Sequence, residues 1–529
     1  MFLYLYYQMF NKVIITTSGI GERLGEHTKY TNKSLVKVGD KYAICYIIEN
    51  YDKDTHFVVT LGHYGNYVKD FLTMAYPERA IEYVYVDKYE GVGSSLGYSL
   101  LQVENLLQCP FIFHCCDAII TTPLRIATNT NTLYVSSHDS NAQYSSIITE
   151  NNMVKELNDK NSELYDYVYT GIAYIHDYVD FWTCLKTVYA LNPLNSSLSD
   201  IHSIKQMMIQ GIQFEYSVLP YWYDTGNKTS YNKLKNAFKS KYEVLEKNTE
   251  SLCFIEDKVI KFINDENINA KRVVRGNALY PLTPKIVSST SNFMQMDLVD
   301  GVILSDVYKN GIIYDVLQWA RTHLWINSHT NDKYIDCCKR FYIEKTMKRI
   351  NELPFLADEH SAINGMECKN VQVLINNIPT ELLCTDTFMQ FHGDFILENI
   401  LLEKSGKFTD KFKLIDWRHE FDDQLTHGDM YYDLAKLRHN IILNHKNINN
   451  GLFEIKYDEE NNVIVDLKCN YFHMQQLEDY DRFIEENGYN IKKIKILTAL
   501  IWLNMAPLYE GKFREFLFYF GKYNLAKLI

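Results

Sequence analysis

The sequence predicts an α/β chain in two parts: a doubly wound, Rossmann-like first part and an α+β second part of two lobes. Three observations predict it. Near the start, a buried strand at residues 13–17 runs straight into a glycine turn, and strand-then-helix units continue to about residue 245. Around Ser251 the pattern changes to short alternating strands at 252–255 and 259–263. From Ile313 onward amphipathic helix dominates, interrupted by an ordered polar stretch between Phe391 and Asp433. The domains are therefore drawn at 1–245 and 250–529, with a small lobe at about 250–305 and a large lobe at about 306–529.

Composition bounds the reading. A chain of 529 residues holds at least two domains, and 47% hydrophobic with 23% charged residues gives ample core. The net charge of −12, with no dense Lys/Arg stripe, argues against nucleic acid as a partner. Eleven cysteines, with adjacent pairs at Cys115-Cys116 and Cys337-Cys338 but no C-x-x-C, fit neither a zinc site nor a disulfide framework. A reducing cytoplasm is expected. Residues 1–10 are apolar and aromatic but lack a basic start and a cleavage site. They are also far short of the roughly 20 apolar residues that span a bilayer. An extension ahead of a start at Met9 is one reading of them.

In order, the turn from Ser18 to Gly25 follows the first strand, which lets backbone N–H groups approach a phosphate unobstructed. It is no dinucleotide fingerprint, since Leu24 takes the third glycine's place, and no P-loop, since no G-K-[ST] follows. Residues 57–62 and 84–87 read as further strands. Gly91, Gly93, Ser94 and Ser95 form a second small-residue loop opening a helix. Residues 110–117 make a buried strand ending in Asp117, and Asp224, within Tyr221-Trp222-Tyr223-Asp224-Thr225-Gly226, precedes another helix. Either acid alone also reads as a cap. Two carboxylates at strand ends are equally what a divalent ion bridging a phosphate and an acceptor would use.

Taken together, these segments resemble the nucleotidyltransferases that act on sugar phosphates and phosphocholine, whose signature is G-x-G-[TS]-R-L followed by P-K-x-L. The resemblance implies that Gly19 and Gly21 shape the triphosphate loop and that Arg23 and Lys33 contact the triphosphate as catalytic residues. It implies that Gly91, Gly93, Ser94 and Ser95 lie against the nucleobase, that Asp117 and Asp224 hold Mg2+, and that Gly171 lies on the acceptor side. CTP or UTP is the implied nucleotide. Two positions depart from the pattern: Glu22 replaces a small hydroxyl residue and Asn32 replaces proline.

Residues 228–247 are lysine-rich and helix-like, a solvated face running into a linker. Lys261, on the second of two paired strands, is placed to grip the α- and β-phosphates of ATP. No glycine-rich turn precedes those strands, and the helix at 270–279 offers no glutamate to Lys261. Residues 293–301 read as a hinge strand. Trp319, Trp325, Phe341 and Tyr342 lie on apolar helix faces, as core or as a cage for a quaternary ammonium. His392-Gly393-Asp394 with Asn399 then has the H-x-D-x-x-x-x-N spacing of a phosphoryl-transfer loop, and Asp416 closes the next apolar run. Residues 444–462 read as a polar hairpin, and the remainder as helix.

This stretch resembles the aminoglycoside phosphotransferase and choline kinase family, whose pattern is H-G-D-x-x-x-x-N followed by I-D-W or I-D-F. The resemblance implies Asp394 as the base, Asn399 and Asp416 as Mg2+ ligands, and Asp433 as a buried brace of the catalytic loop. The two resemblances together imply a bifunctional cytoplasmic enzyme. Its kinase part phosphorylates a small alcohol (choline, another amino alcohol or a sugar) with ATP. Its transferase part joins a nucleotidyl group from an NTP to that phosphate and releases pyrophosphate, for surface polysaccharide or lipid head-group precursors. The alternative is a nucleotidyltransferase carrying a degenerate kinase-like part that binds ligand and regulates. A small phosphorylated acceptor is the implied partner, with no nucleic acid and no membrane span.

Overall fold

The computed structural model describes residues 12–124, 129–242, 247–307, 309–404, 411–444, 448–459, 462–468 and 471–529. The apolar segment at 1–10, with the question of a start at Met9, and the middle of the linker lie outside the described residues. The chain forms two compact units: Met1–Asp265 with Ser288–Gln295, and Glu266–Val287 with Met296–Ile529.

In the first unit, β1 (Lys12–Thr16), β2 (His56–Leu61), β3 (Ala80–Tyr85) and β4 (Phe111–Cys115) run parallel in the order 3-2-1-4. A short strand β5 (Ala118–Ile120) follows outside this sheet. The sheet continues through β6 (Asn131–Ser136), β7 (Ser146–Glu150), β8 (Met153–Asn158), β9 (Tyr167–Ile175) and β10 (Phe214–Val218), giving 3-2-1-4-9-6-10-8-7. Alternation along each strand fills two cores. Val13 and Ile15 of β1 pack with Ile44 and Ile47 of α1 (Ala43–Glu49) and Val68 and Phe71 of α2 (Gly65–Ala75). Ile14 faces the other way, toward Leu100 of α3 (Leu96–Leu101), Phe181 of α4 (Tyr178–Leu191) and Ile204 of α5 (Asp200–Ile209). A sheet buried on both faces is the doubly wound arrangement. The strand order reverses between β1 and β4, so a crevice opens at their carboxyl ends. β11 (Trp222–Asp224) closes beside it by pairing with β5, and α6 (Lys228–Ala237) follows.

The hairpin β12 (Glu250–Ile255) and β13 (Lys258–Ile263) belongs to this same unit. Its Cys253, Ile255, Ile260 and Phe262 enter the core lined by α1 and α2, and the Ser251 hydroxyl lies 2.6 Å from that of Tyr42. The compact division therefore falls after this hairpin, whereas the sequence placed a boundary ahead of it at 245–250.

The second unit begins with α7 (Glu266–Leu279). β14 (Gly301–Ile303) leads to α8 (Ile312–His323) and α9 (Lys333–Cys338). A π-helical turn, Lys339–Glu344, joins α9 to α10 (Lys345–Ile350). β15 (Thr387–Gln390) delivers the chain to the loop from Phe391 to Asn399, and β16 (Ile400–Glu403) and β17 (Phe412–Leu414) form a three-stranded sheet with β14. α11 (Met430–Ile442), α12 (Tyr471–Glu486), α13 (Ile491–Met505) and α14 (Gly511–Ala526) complete the unit. Ala435, Leu497, Leu500 and Phe516 sit in its main core. Within the stretch read as a polar hairpin, Phe453–Tyr457 pairs antiparallel with Val463–Leu467. Among the described residues no helix is long and apolar enough to cross a membrane.

Candidate active sites

In the first unit, the turn leaving β1 is shaped by Gly21, whose φ of 76° suits glycine and whose added Cβ would lie 2.9 Å from the Lys33 Cβ. At Gly19 a Cβ would meet nothing within 4 Å, so the space beside that backbone is open. Asn32 explains its own departure from proline. Its buried side chain donates to the Thr17 and His63 carbonyls (2.8 and 2.6 Å) and accepts from the Ser34 amide (2.9 Å). It thus ties the ends of β1 and β2 together and caps the turn carrying Lys33. Glu22 is exposed in the first turn of the short helix Glu22–Thr28, so no buried contact depends on a small residue there.

The two acids meet because β5 and β11 pair with Asp224 opposite Ala118, and the Thr225 amide donates to the Asp117 carbonyl (2.9 Å). At Gly226 a Cβ would stand 2.8 Å from Asp117 Oδ2, 2.9 Å from Asp224 Oδ1 and 3.3 Å from an Arg23 guanidinium nitrogen. Three of the four charged residues singled out thus converge on one point, and the fourth, Lys33, places its Nζ 3.3 Å from Asp117 Oδ2. Burial pushes Asp117 up, but Lys33 and Arg23 outweigh it and hold the carboxyl at about 2. Asp224 is raised by burial and by the charge of Asp117. Burial works against the Lys33 ammonium, yet Asp117 overrides it and keeps the charge firmly on. A like-charged acid pair flanked by cations and partly desolvated is a donor set suited to Mg2+.

The second loop also lies on this side. Gly91 and Gly93 have φ of 74° and 87°, the Ser94 hydroxyl donates to the Gly91 carbonyl (2.7 Å), and Ser95 caps α3 by accepting from the Tyr98 amide (3.0 Å). Ser99 of α3 lies 2.9 Å from Ser18 in the first turn, which links the two loops. Gly171 has a packing reason of its own, since a Cβ there would lie 2.3 Å from Cys115 Sγ.

Three residues at this site were missed from sequence. Asp224 Oδ2 accepts from the Tyr144 hydroxyl (2.9 Å) and the Asn227 amide (2.7 Å), and Asn227, not Asp224, caps α6. Lys160, just after β8, is lowered by burial and Arg23 and pulled the other way by Asp224 and Asp117, so it belongs to the same electrostatic cluster. A lysine in a polar turn carries no periodic or glycine signal.

In the second unit, Asp433 accepts from the His392 and Gly393 amides (2.7 and 2.6 Å) and from the Trp325 indole (3.1 Å), so three donors on one buried acid clamp the loop. Burial pushes this acid up to about 6. The Asp394 amide donates to His392 Nδ1 (3.2 Å), leaving Nε2–H to donate to the Ile415 carbonyl (3.0 Å). Asn399 Nδ2 donates to the Asp394 carboxylate and carbonyl, both at 3.0 Å. Lys436 Nζ lies 2.7 Å from Asp394 Oδ1 and, against the effect of burial, holds that carboxyl below its usual range. Asp416 has a φ of 53° and pairs with Arg272 of α7 at 2.9 Å. Asp394, Asn399 and Asp433 are thus brought together. Lys261 lies in the first unit, nearly buried, 3.1 Å from Glu250. The aromatic quartet does not form one cage: Trp319 packs on Phe412, Trp325 on Phe395, and Phe341 on Phe421 and Tyr342.

No protein-family model and no curated protein matches the chain. Solved structures match its N-terminal part. One is the CTP:phosphocholine cytidylyltransferase from Streptococcus pneumoniae, 19% identical, with a TM-score of 0.38 over 44% of this chain and 100% of that one. Another is the inositol-1-phosphate CTP transferase from T. maritima, 17% identical, with a TM-score of 0.36 over 45% of this chain and 99% of that one. A third is the UDP-glucose pyrophosphorylase from Acinetobacter baumanii, 13% identical, with a TM-score of 0.35 over 44% and 93%.

Proposed function

We propose that the first unit transfers a nucleotidyl group from CTP or UTP to a small phosphorylated acceptor, and that the second phosphorylates a small alcohol with ATP. The observation that carries the first reading is the convergence of Asp117, Asp224 and Arg23 on the Gly226 position, with Lys33 against Asp117. Arg23 and Lys33 neutralise the triphosphate and the departing pyrophosphate, while Lys160 supplies a further cation for an acceptor phosphate. Asp117 and Asp224 would hold Mg2+, which supplies charge neutralisation at the reacting phosphate. The backbone at Gly19 leaves room for phosphate oxygens beside the turn that Gly21 shapes.

In the second unit, Asp394 takes the proton of the attacking hydroxyl, held below its usual range so that it is ionised at neutral pH. Asn399 fixes its orientation, and Asp433 fixes the loop. Asn399 and Asp416 would hold Mg2+ at the ATP phosphates. A second reading, a regulatory domain that binds ligand without turnover, draws support from two occupied groups: Lys261 pairs with Glu250, and Asp416 with Arg272. The deciding experiment incubates the full chain with each NTP and a panel of phosphate monoesters, reading pyrophosphate. In parallel it follows ADP release from ATP over the parent alcohols. Pyrophosphate without any ADP favours the regulatory reading, and the absence of both products refutes both proposed activities.

A further inference from the structure

Lys345, Arg349, Arg418 and Lys436 form a cluster of cations beside the loop that carries Asp394, more positive charge than the base role requires. Among the described residues, Lys436 makes the one ion pair on the Asp394 carboxylate. Arg418 packs along the same loop: its amide donates to the His392 carbonyl (3.1 Å), and a Cβ on Gly393 would stand 2.6 Å from its own Cβ. The Arg418 guanidinium lies 4.9 Å from the Phe341 ring centre and Lys345 Nζ lies 4.4 Å from it, so two cations share one aromatic neighbour. Arg349, one turn beyond Lys345, is held by the Asn504 carbonyl (3.2 Å) and side-chain oxygen. The four are close enough to disfavour one another's charge. Lys345, already penalised by burial, is pushed down to about 6 by Arg418, Arg349 and Lys436.

The nearby acids are already engaged. Asp422 and Asp423 pair with Arg340, and Glu420 with Lys271 at 2.7 Å. Among the described residues, Lys345, Arg349 and Arg418 have no carboxylate within ion-pair distance. Half-buried cations without counterions are costly, and an incoming anion relieves that cost. The π-helical turn just before Lys345 points the same way, since such turns are rare and concentrate at functional sites.

We infer that the alcohol phosphorylated at Asp394 carries an anionic group of its own, a phosphate or a carboxylate, held by Lys345, Arg349 and Arg418. This rests on the phosphotransfer reading of Asp394. The alcohol oxygen attacks the γ-phosphorus of ATP, a new O–P bond forms as the bond to ADP breaks, and the hydroxyl proton passes to Asp394. Choline, a cation, would meet the same repulsion that the four side chains exert on one another.

The test follows ADP release by the full chain over matched alcohols: glycerol, glycerate, sn-glycerol 3-phosphate and choline, then glucose, glucuronate and glucose 6-phosphate. The anionic members should exceed their neutral parents at least about tenfold in kcat/KM, and the better of the two separates phosphate from carboxylate. Arg349→Gln and, separately, Lys345→Gln should each raise the KM for the anionic alcohol about tenfold or more. Both should leave the KM for ATP unchanged, which also shows that the second unit still folds in each variant. Preference for choline or for neutral parents, or an unmoved KM in both variants, overturns the inference. If no alcohol is phosphorylated, the phosphotransfer reading fails by itself. Calorimetric titration with inorganic phosphate then decides the anion site: binding that both variants lose upholds it, and equal binding in all three proteins overturns it.

Discussion

Replacing Gly226 by alanine isolates the first site with the smallest possible change. The φ of Gly226 is not in the left-handed region, so alanine meets no backbone objection there; only space is at issue. Its methyl would fall 2.8 Å from Asp117 Oδ2 and 2.9 Å from Asp224 Oδ1, closer than Cβ atoms come to neighbours in real proteins. Both carboxylates must retreat by about half an ångström or more, and Asp224 Oδ1 is also the acceptor of the Gly226 amide at 2.6 Å. A misplacement of about 1 Å near reacting groups costs roughly a hundredfold, so a shift of this size should lower kcat/KM for pyrophosphate release by about ten- to a hundredfold, or about 1.4 to 2.7 kcal/mol of transition-state stabilisation. The assay is coupled pyrophosphate detection under NTP saturation and at limiting acceptor, alongside thermal melting. The matched control is Gly19→Ala, where a Cβ meets nothing in the protein. It should leave melting unchanged and raise the KM for the NTP, because the ligand fills that space. Wild-type turnover by Gly226→Ala would refute the claim that the two acids work together at that point.

Asp224→Asn keeps the hydrogen bonds to Tyr144 and Gly226 in outline but removes the charge, and should cut pyrophosphate release at least about a hundredfold with little change in melting. Asp394→Asn should lower the kcat of alcohol phosphorylation by about a hundredfold or more while the KM for ATP holds, read by ADP release. Arg272→Ala removes the ion pair on Asp416 and should lower the KM for Mg-ATP several-fold, measured in the same assay. Asp433→Ala strands three buried donors and should cost about 2–4 kcal/mol in denaturant unfolding. Burial raises the folded-state pKa of Asp433 to about 6, so its protonation adds stability as pH falls from about 6 toward 4, and that gain is lost again as pH rises. The gain, about 3 kcal/mol, should be missing in Asp433→Asn when both proteins are unfolded across that range.

The first site was legible where chemistry constrains backbone. A glycine turn leaving a strand and an acid at a strand end are both local patterns, so the positions of Gly21 and Asp117 could be read within a few residues of text. Partnerships were not legible, because β5 and β11 are about a hundred residues apart and pair over three residues each. Asn32 looked like a lapse from proline and instead supplies a cap and two cross-links. Lys160, Tyr144 and Asn227 carry ordinary polar side chains in ordinary turns, and only the fold brings them to the acids.

In the second unit the loop from His392 to Asn399 could be read because a tight turn with one buried acid behind it leaves little freedom. The strands at 250–263 show the opposite case. Their alternation revealed a hairpin but not which core it would join, since a hairpin's apolar face carries no address, and the face of α1 and α2 in the first unit takes it. The cationic group fails to show for a geometric reason. Read as one α-helix from Lys333 to Ile350, residues 345 and 349 fall on a charged face that looks merely solvated. A π turn inserts one extra residue per turn, which rotates everything after it by about 100° relative to a regular helix. The turn at Lys339–Glu344 thus lies between the face a helical wheel assigns and the face that carries Lys345 and Arg349. Arg418, more than sixty residues later, approaches Phe341 only because its backbone is fixed to His392. A charge cluster assembled from a rotated helix and a loop clamped by Asp433 is therefore invisible to periodicity, even though each cation is plain in the sequence.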